Sequence, residues 1–402
     1  MRKKHSSNFR NSSDIVNGKQ INANNGVLNS YEASRRILHS SGEMLAKLAL
    51  VCPRYYPYLG GIETHVKELG ERLAAREGFT VEILTTDPSR CLPGEETINN
   101  VDVKRFSCWA PNDAYYFSLQ LLSYLRKRSA SYDIVHAHDY QALPALFASE
   151  SKSTNKLVVT PHFHVSGGTR LRRALHIPYD LYADRIFDKA DHIICVSNYE
   201  RTALMTRRNI NKRKVEVISN GINPDEFRAL KRPNARTARK SILYVGRLEQ
   251  YKGIHYAVRA LALLDKHIRL DIVGNGPYMQ PLRQLIRSLG VERRVTFYQN
   301  LARSELLQKY LEADLLILLS KYEAFGIVVA EALAAGTPCI VAKGSALEEW
   351  IDDESCFGIS YPIKIEECVT LIEKVIDKRV SRQCIPTWDD AVEQLTRTYQ
   401  NL

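Results

Sequence analysis

The chain has 402 residues, of which 45% are apolar and 25% charged, enough for two soluble domains each with its own core. It has no uninterrupted apolar run of roughly 18 residues, which excludes a membrane-spanning helix, and its eight cysteines lack C-x-x-C spacing, which argues against a disulfide framework or a zinc site and for a reducing cytosol. The formal net charge of +11 favours acidic partners such as phosphorylated substrates or anionic lipid headgroups, but without a nucleic-acid motif no nucleic acid is expected.

Residues 1–43 are rich in Ser, Asn, Lys and Arg with little periodicity, as in a disordered or dispensable leader. The first credible strand follows directly on Met44, so Met44 is the expected native start; an intact leader in native N-terminal sequencing would contradict this. The N-terminus lacks the apolar centre of a secretory signal, and the expected location is the cytoplasm, with the inner face of the membrane as a further candidate. A buried strand runs from Ala46 to Cys52. After the aromatic loop Pro53–Gly60, Gly60–Gly61 opens a helix with Ile62, Val66, Leu69 and Leu73 on one face. Strand, glycine turn and helix suit a phosphate, although a tight turn alone also asks for glycine. Further strands are predicted at Val81–Thr85, Val101–Phe106, Asp133–His138, Leu157–Thr160, Ile193–Ser197 and Val215–Ile218, and helices at 114–128 and 198–206.

Two of these strands end in histidines, His136 and His138 on one, His162 and His164 after the other. In open α/β sheets ligands bind beyond the carboxyl ends of strands. No carboxylate or cysteine joins the four in a ligand pattern, so metal is not expected; His162 reads as polar at a cleft and the others as packed or solvated. The segment 166–190 carries Arg170, Arg172 and Arg173 beside apolar residues. It reads either as a core-facing helix with a solvated basic face or as a helix lying on an anionic membrane surface.

Asn223–Lys240 reads as a linker, and a second α/β series follows. Its strands are Ser241–Val245, Ile268–Val273, Val295–Tyr298, Asp314–Leu319 and Cys339–Ala342, with helices near 253–264, 278–289, 304–312 and 326–335. Such alternation predicts parallel sheets covered on both faces, and two such units imply a cleft between them. Thr387–Tyr399 is amphipathic, with Ala391, Leu395 and Tyr399 on one face. Ser320–Ala342 stands out: Glu323 lies before the helix, Glu331 within it among Val328, Val329, Ala330, Ala332 and Leu333, and Gly336 at its end. A carboxylate in such apolar company needs a partner. The N–H groups of Phe325, Gly326 and Ile327 at the helix start could receive an anion.

The ordered set P-Y-L-G-G-I-E-T-H-V, D-I-V-H-A-H, T-P-H, V-S-N, S-N-G-I, Y-V-G-R-L-E-Q-Y-K-G, V-G-N-G-P and E-x₇-E at Glu323 and Glu331 resembles glycosyltransferase family 4. The resemblance covers nearly everything from Met44 onward. It implies an α/β, GT-B fold: two Rossmann-like domains with parallel sheets facing across a cleft. Residues 44–222 would be the acceptor-binding domain, completed by the C-terminal helix 387–402; 223–240 would be the linker and 241–386 the nucleotide-sugar domain.

The resemblance also implies roles. Arg247 and Lys252 match the family's basic pair on the donor diphosphate. Glu323 matches a glutamate beside the donor sugar, and Glu331 one on the ribose hydroxyls. The amides of Phe325, Gly326 and Ile327 would hold sugar or phosphate oxygens. Gly60 and Gly61 match the turn where the diphosphate comes close, a contact that an absent side chain permits. His162 matches a histidine facing the donor sugar, and Asn300 with Leu301 would touch the base. The implied activity is retaining transfer of a hexosyl group from a UDP- or GDP-sugar to a glycan, lipid-linked or phosphorylated acceptor by front-face transfer. No cofactor is expected. Arg247, Lys252 and the helix N-termini would neutralise the leaving charge without a metal, and no Asp-x-Asp motif occurs. A sugar-nucleotide epimerase of the same fold and a non-catalytic nucleotide-sugar-binding protein are the alternatives.

Overall fold

A computed structural model describes residues 46–163, 182, 184–208, 210–230 and 239–402. The leader, His164, Arg170, Arg172, Arg173 and the middle of the linker lie outside the described residues.

Two sheets organise residues 46–402. The first uses β1 (Ala46–Val51), β2 (Phe79–Asp87), β3 (Glu95–Ile98), β4 (Val101–Ser107), β5 (Ile134–His138), β6 (Lys156–Thr160), β7 (His192–Cys195) and β8 (Val215–Val217). Their order is β3-β4-β2-β1-β5-β6-β7-β8, parallel throughout except the β3/β4 pair. The second uses β9 (Lys240–Val245), β10 (Ile268–Val273), β11 (Val295–Tyr298), β12 (Leu315–Leu318), β13 (Cys339–Ala342) and β14 (Cys356–Ile359), in the order β11-β10-β9-β12-β13-β14, all parallel. Central strands such as β1 and β12 read as unbroken apolar runs because helices cover both faces; Leu48 to Val51 and Leu315 to Leu318 are all buried.

Each sheet has a switch point where strand order reverses, between β1 and β5 in the first and between β9 and β12 in the second. Crevices open at the carboxyl ends of strands at such points. Helix α1 (Gly61–Ala74) leaves β1 and buries Val66, Leu69 and Leu73. The further helices are α2 (Leu119–Arg128), α3 (Leu143–Glu150), α4 (Asn198–Arg207), α5 (Pro224–Arg228), α6 (Ile254–Leu263), α7 (Met279–Ser288), α8 (Arg303–Glu312), α9 (Ile327–Ala334), α10 (Ile365–Val375) and α11 (Trp388–Gln400). Five details differ from expectation. α2 starts at Leu119 rather than 114, because Trp109 and Phe117 pair as a β-bridge and Ser118 caps the helix. Residues 224–228 of the expected linker form a helical turn, started by Pro224 at a position where no N–H is needed. The exposed strand β3, the strand β14 and the helix α10 were not anticipated.

The last helix, α11, begins at a capping box in which Thr387 and Asp390 exchange side-chain and backbone bonds. It buries Trp388, Ala391, Val392, Leu395 and Tyr399 in one apolar cluster with Leu48, Val66, Leu69 and Val81 of the first sheet and α1. Gly221 makes this docking possible, since a Cβ there would lie 2.1 Å from the Thr387 carbonyl carbon. Leu395→Ala is therefore expected to cost about 2–5 kcal/mol in urea unfolding. Glu393→Ala, on the exposed face of the same helix, should stay within about 0.5 kcal/mol of the parent. Equal midpoints for the two variants would contradict this docking.

Candidate active site

The second sheet's switch point places the basic pair and Glu323 together. Arg247 and Lys252 follow β9, Glu323 follows β12, and these strands are neighbours. Lys252 Nζ lies 2.6 Å from Glu323 Oε1, and both side chains are mostly shielded from solvent. Burial works against the charge on Lys252, but Glu323, together with Tyr251 and Glu249, outweighs it and holds the ammonium above its ordinary value.

Gly253 separates Lys252 from α6 in the left-handed region, at φ 73°. A Cβ there would sit 2.1 Å from the Leu319 carbonyl oxygen. Gly253→Ala would combine a left-handed penalty of roughly 1–2 kcal/mol with a forced shift of the Lys252 loop. The expected result is a lowered melting temperature, about 2–4 °C per kcal/mol lost, together with lost turnover; an unchanged melting curve would contradict it.

Arg247 reaches across to the first sheet's loops. Its Nη2 is 3.0 Å from Asp113 Oδ2 and its Nε is 3.2 Å from Glu249 Oε1. Asp113 also faces Arg54 at 3.8 Å, and Arg54 is paired with Glu63 at 2.7 Å, beside the start of α1. At that start Gly61 is open: a Cβ built there meets nothing within 4 Å. Gly60 precedes it with extended backbone.

Gly326 caps α9 in the left-handed region, at φ 92°. Among the described residues no protein acceptor takes the N–H of Phe325, Gly326 or Ile327. Phe325 is fixed by Trp350, whose Nε1–H donates to its carbonyl at 2.8 Å. The helix ends as its sequence suggests. Gly336 adopts φ 74°, its N–H bonds to Leu333 O at 3.0 Å, and Thr337 N–H bonds to Ala332 O at 2.8 Å. These two bonds form a Schellman cap.

Glu331 is buried, and its partners are protein groups. Arg303 Nη1 lies 2.5 Å from its Oε1, and the Tyr310 hydroxyl donates to its Oε2 at 2.7 Å. Arg303 also pairs with Glu226 at 2.7 Å. Burial opposes the Arg303 charge, but the two carboxylates outweigh it and hold the guanidinium above its ordinary value. Arg303 and Tyr310 lie on α8, 28 and 21 positions from Glu331. No local spacing signals such partners; the only hint is that a buried carboxylate needs a cation somewhere. Asn300, at φ 53°, and Leu301 form the exposed and half-buried turn between β11 and α8.

The histidines divide in a way not anticipated. His136 is satisfied by the Tyr399 hydroxyl at 2.6 Å and Thr160 Oγ1 at 2.8 Å. His138 and His162 instead gather with His65 from α1. His162, only 7% exposed, has positive φ at 49°. His65 was missed because nothing along the chain connects a helical histidine to two strand ends. Asn220 of the S-N-G-I motif anchors it, with Oδ1 2.7 Å from His65 Nδ1.

Comparison with known proteins agrees with this architecture. Residues 59–226 match Glycosyltransferase Family 4, and residues 225–386 match Glycosyl transferases group 1. An uncharacterised glycosyltransferase of Methanocaldococcus jannaschii is 29% identical over 395 residues, covering 88% of this chain and 98% of that protein. Among solved structures, sucrose-phosphate synthase from Thermosynechococcus elongatus superposes with a TM-score of 0.73 at 22% identity, covering 89% of this chain and 98% of that one. Anabaena HepE in complex with UDP and glucose gives 0.68 at 20% identity, covering 89% and 100%. The two parallel sheets with facing switch points, matched on both halves, make this chain a family 4, group 1 glycosyltransferase of the GT-B fold.

Proposed function

We propose that the chain transfers a hexosyl group, with retained configuration, from a UDP- or GDP-sugar to a glycan, lipid-linked or phosphorylated acceptor. The observation that carries this reading is the Lys252–Glu323 pair at the second switch point, with Glu323 two residues before the amides of Phe325–Ile327, which have no protein acceptor among the described residues. A sugar diphosphate needs cations and N–H donors on its phosphates and a carboxylate on its hydroxyls, and this corner supplies all three. Similarity to a protein solved with UDP and glucose supports the donor class. Arg247, now held by Asp113, and open Gly61 would meet the diphosphate from the two sides of the cleft.

In this reading the bond between the sugar C1 and the diphosphate oxygen breaks as the acceptor oxygen bonds to C1 on the same face. The acceptor proton passes to the leaving phosphate oxygen. The protein's contribution is positioning plus stabilisation of the leaving charge by Arg247, Lys252 and the α9 N-terminus. Glu323 orients the sugar, and Glu331 with Arg303 holds the ribose side. His162 would face the sugar, and Asn300–Leu301 the base. These groups bear the leaving charge without a metal.

The acceptor would enter beside Arg54, Asp113 and Tyr116 of the first sheet's loops, where Arg54 also lies 5.8 Å from the Tyr116 ring. The test is a panel of UDP-, GDP- and ADP-sugars, read by nucleoside diphosphate release with and without acceptor extracts. Release that rises with one extract is expected. Epimer formation without release would favour an epimerase, and no reaction with any donor would favour a binding protein.

A further inference from the structure

His65, His138 and His162 come from three separate elements: the first turns of α1, the end of β5, and the loop after β6. One ring nitrogen from each lies within 4.8 Å of those of the other two. Ring centroids are 4.8 Å apart for His65–His162, 5.2 Å for His65–His138 and 5.8 Å for His138–His162. All three side chains are buried. The Asn220 oxygen only accepts, so His65 Nδ1 carries the proton and Nε2 presents a lone pair. Among the described residues that Nε2 has no hydrogen-bond partner, and neither nitrogen of His138 has one. A buried polar nitrogen left unbonded costs about 1–3 kcal/mol, so the fold maintains these lone pairs at a cost that packing alone does not explain.

We propose that His65, His138 and His162 form a site for one divalent transition-metal ion of the zinc class, bound through three imidazole nitrogens. Neutral imidazoles suit Zn²⁺, Co²⁺, Ni²⁺ and Cu²⁺, whereas Mg²⁺ and Ca²⁺ ask for oxygen ligands that this set lacks. Three histidines leave a fourth tetrahedral position for water, as in open zinc sites. Asn220 fixes the His65 tautomer from outside, the role that outer partners play around metal-bound histidines. Ligands at 2.0–2.1 Å from a tetrahedral ion stand roughly 3.3 Å apart, so binding draws the rings together from their present spacing. His136 lies tilted against His138 with centroids 4.2 Å apart, but both its nitrogens are already committed to Tyr399 and Thr160. It therefore lies outside the ligand set.

The test uses the full chain without an affinity tag, stripped with a chelator and then titrated with Co²⁺ and with Zn²⁺. The proposal expects one ion per chain by mass spectrometry of the metal content. It also expects a four-coordinate Co²⁺ visible spectrum without thiolate charge-transfer bands. H65Q should weaken Co²⁺ binding by more than about tenfold, the scale on which even outer contacts act. H162Q, at the least buried edge of the cluster, should do the same, while H255Q, remote in α6, should not. No uptake at micromolar Co²⁺ would overturn the site and leave an ordered water as the cluster's occupant. Thiolate bands would overturn it in favour of the exposed Cys91 or Cys384, and so would equal affinity in H65Q and H162Q. These readouts do not depend on transfer activity, so they stand apart from the donor panel.

Discussion

Lys252→Ala is expected to lower kcat/KM for the sugar donor by about 10²–10³-fold, the usual scale for losing one preorganised charge at a leaving oxyanion. Circular dichroism of the variant should match the parent. The pair at 2.6 Å adds a further expectation. Removing Lys252 leaves Glu323 in a shielded site without its cation, and removing Glu323 leaves Lys252 likewise. The two groups touch, so their losses should not add. The double variant Lys252→Ala/Glu323→Ala should lose less than the product of the single losses. Near-parental rates in Lys252→Ala would remove this lysine from the site. Fully multiplicative losses would mean that the ion pair is absent in the working enzyme.

Glu331→Ala is expected to do two things at once. It leaves the buried Tyr310 hydroxyl without an acceptor and Arg303 with only Glu226. Breaking a buried pair costs about 3–5 kcal/mol, and because Arg303 is 42% exposed the lower end applies. The second effect is a rise in the donor KM of about 10–100-fold, if roughly 1.4–2.8 kcal/mol of ribose binding is lost. Tyr310→Phe separates the two effects. It removes one hydrogen bond, about 0.5–1.5 kcal/mol, and should leave the donor KM nearly unchanged. Urea unfolding and donor saturation curves check both, and an unchanged unfolding midpoint for Glu331→Ala would contradict the pairing seen here.

Much of the fold was legible because parallel sheets bury strands on both faces. Leu48–Val51 and Leu315–Leu318 could be read as strands without any alternation. The edge strand Glu95–Ile98 was not legible, because it is charged, exposed and paired antiparallel on one side only. Gly336 was legible as a helix stop because a left-handed C′ position is a local requirement. The partners of Glu331 were not, since Arg303 and Tyr310 arrive from another helix through the packing of α8 on α9. The same holds for His65, which meets His138 and His162 only because α1 starts where β1 meets β5 at the first switch point. Local chemistry thus reads out of the chain, whereas groups brought together by strand order need the structure.

In the proposed function Ser320–Ala342, together with the Arg247–Gly253 loop, clamps a nucleoside diphosphate sugar. Hydrogen–deuterium exchange at short labelling times, with saturating UDP, GDP or ADP, tests it most directly. The amides of Phe325, Gly326 and Ile327 have no protein acceptor among the described residues and should exchange fast in the free enzyme. One of the three nucleotides should slow peptides spanning 322–332 and 247–253. Protection confined to other segments, or absent with all three nucleotides, would contradict the clamp.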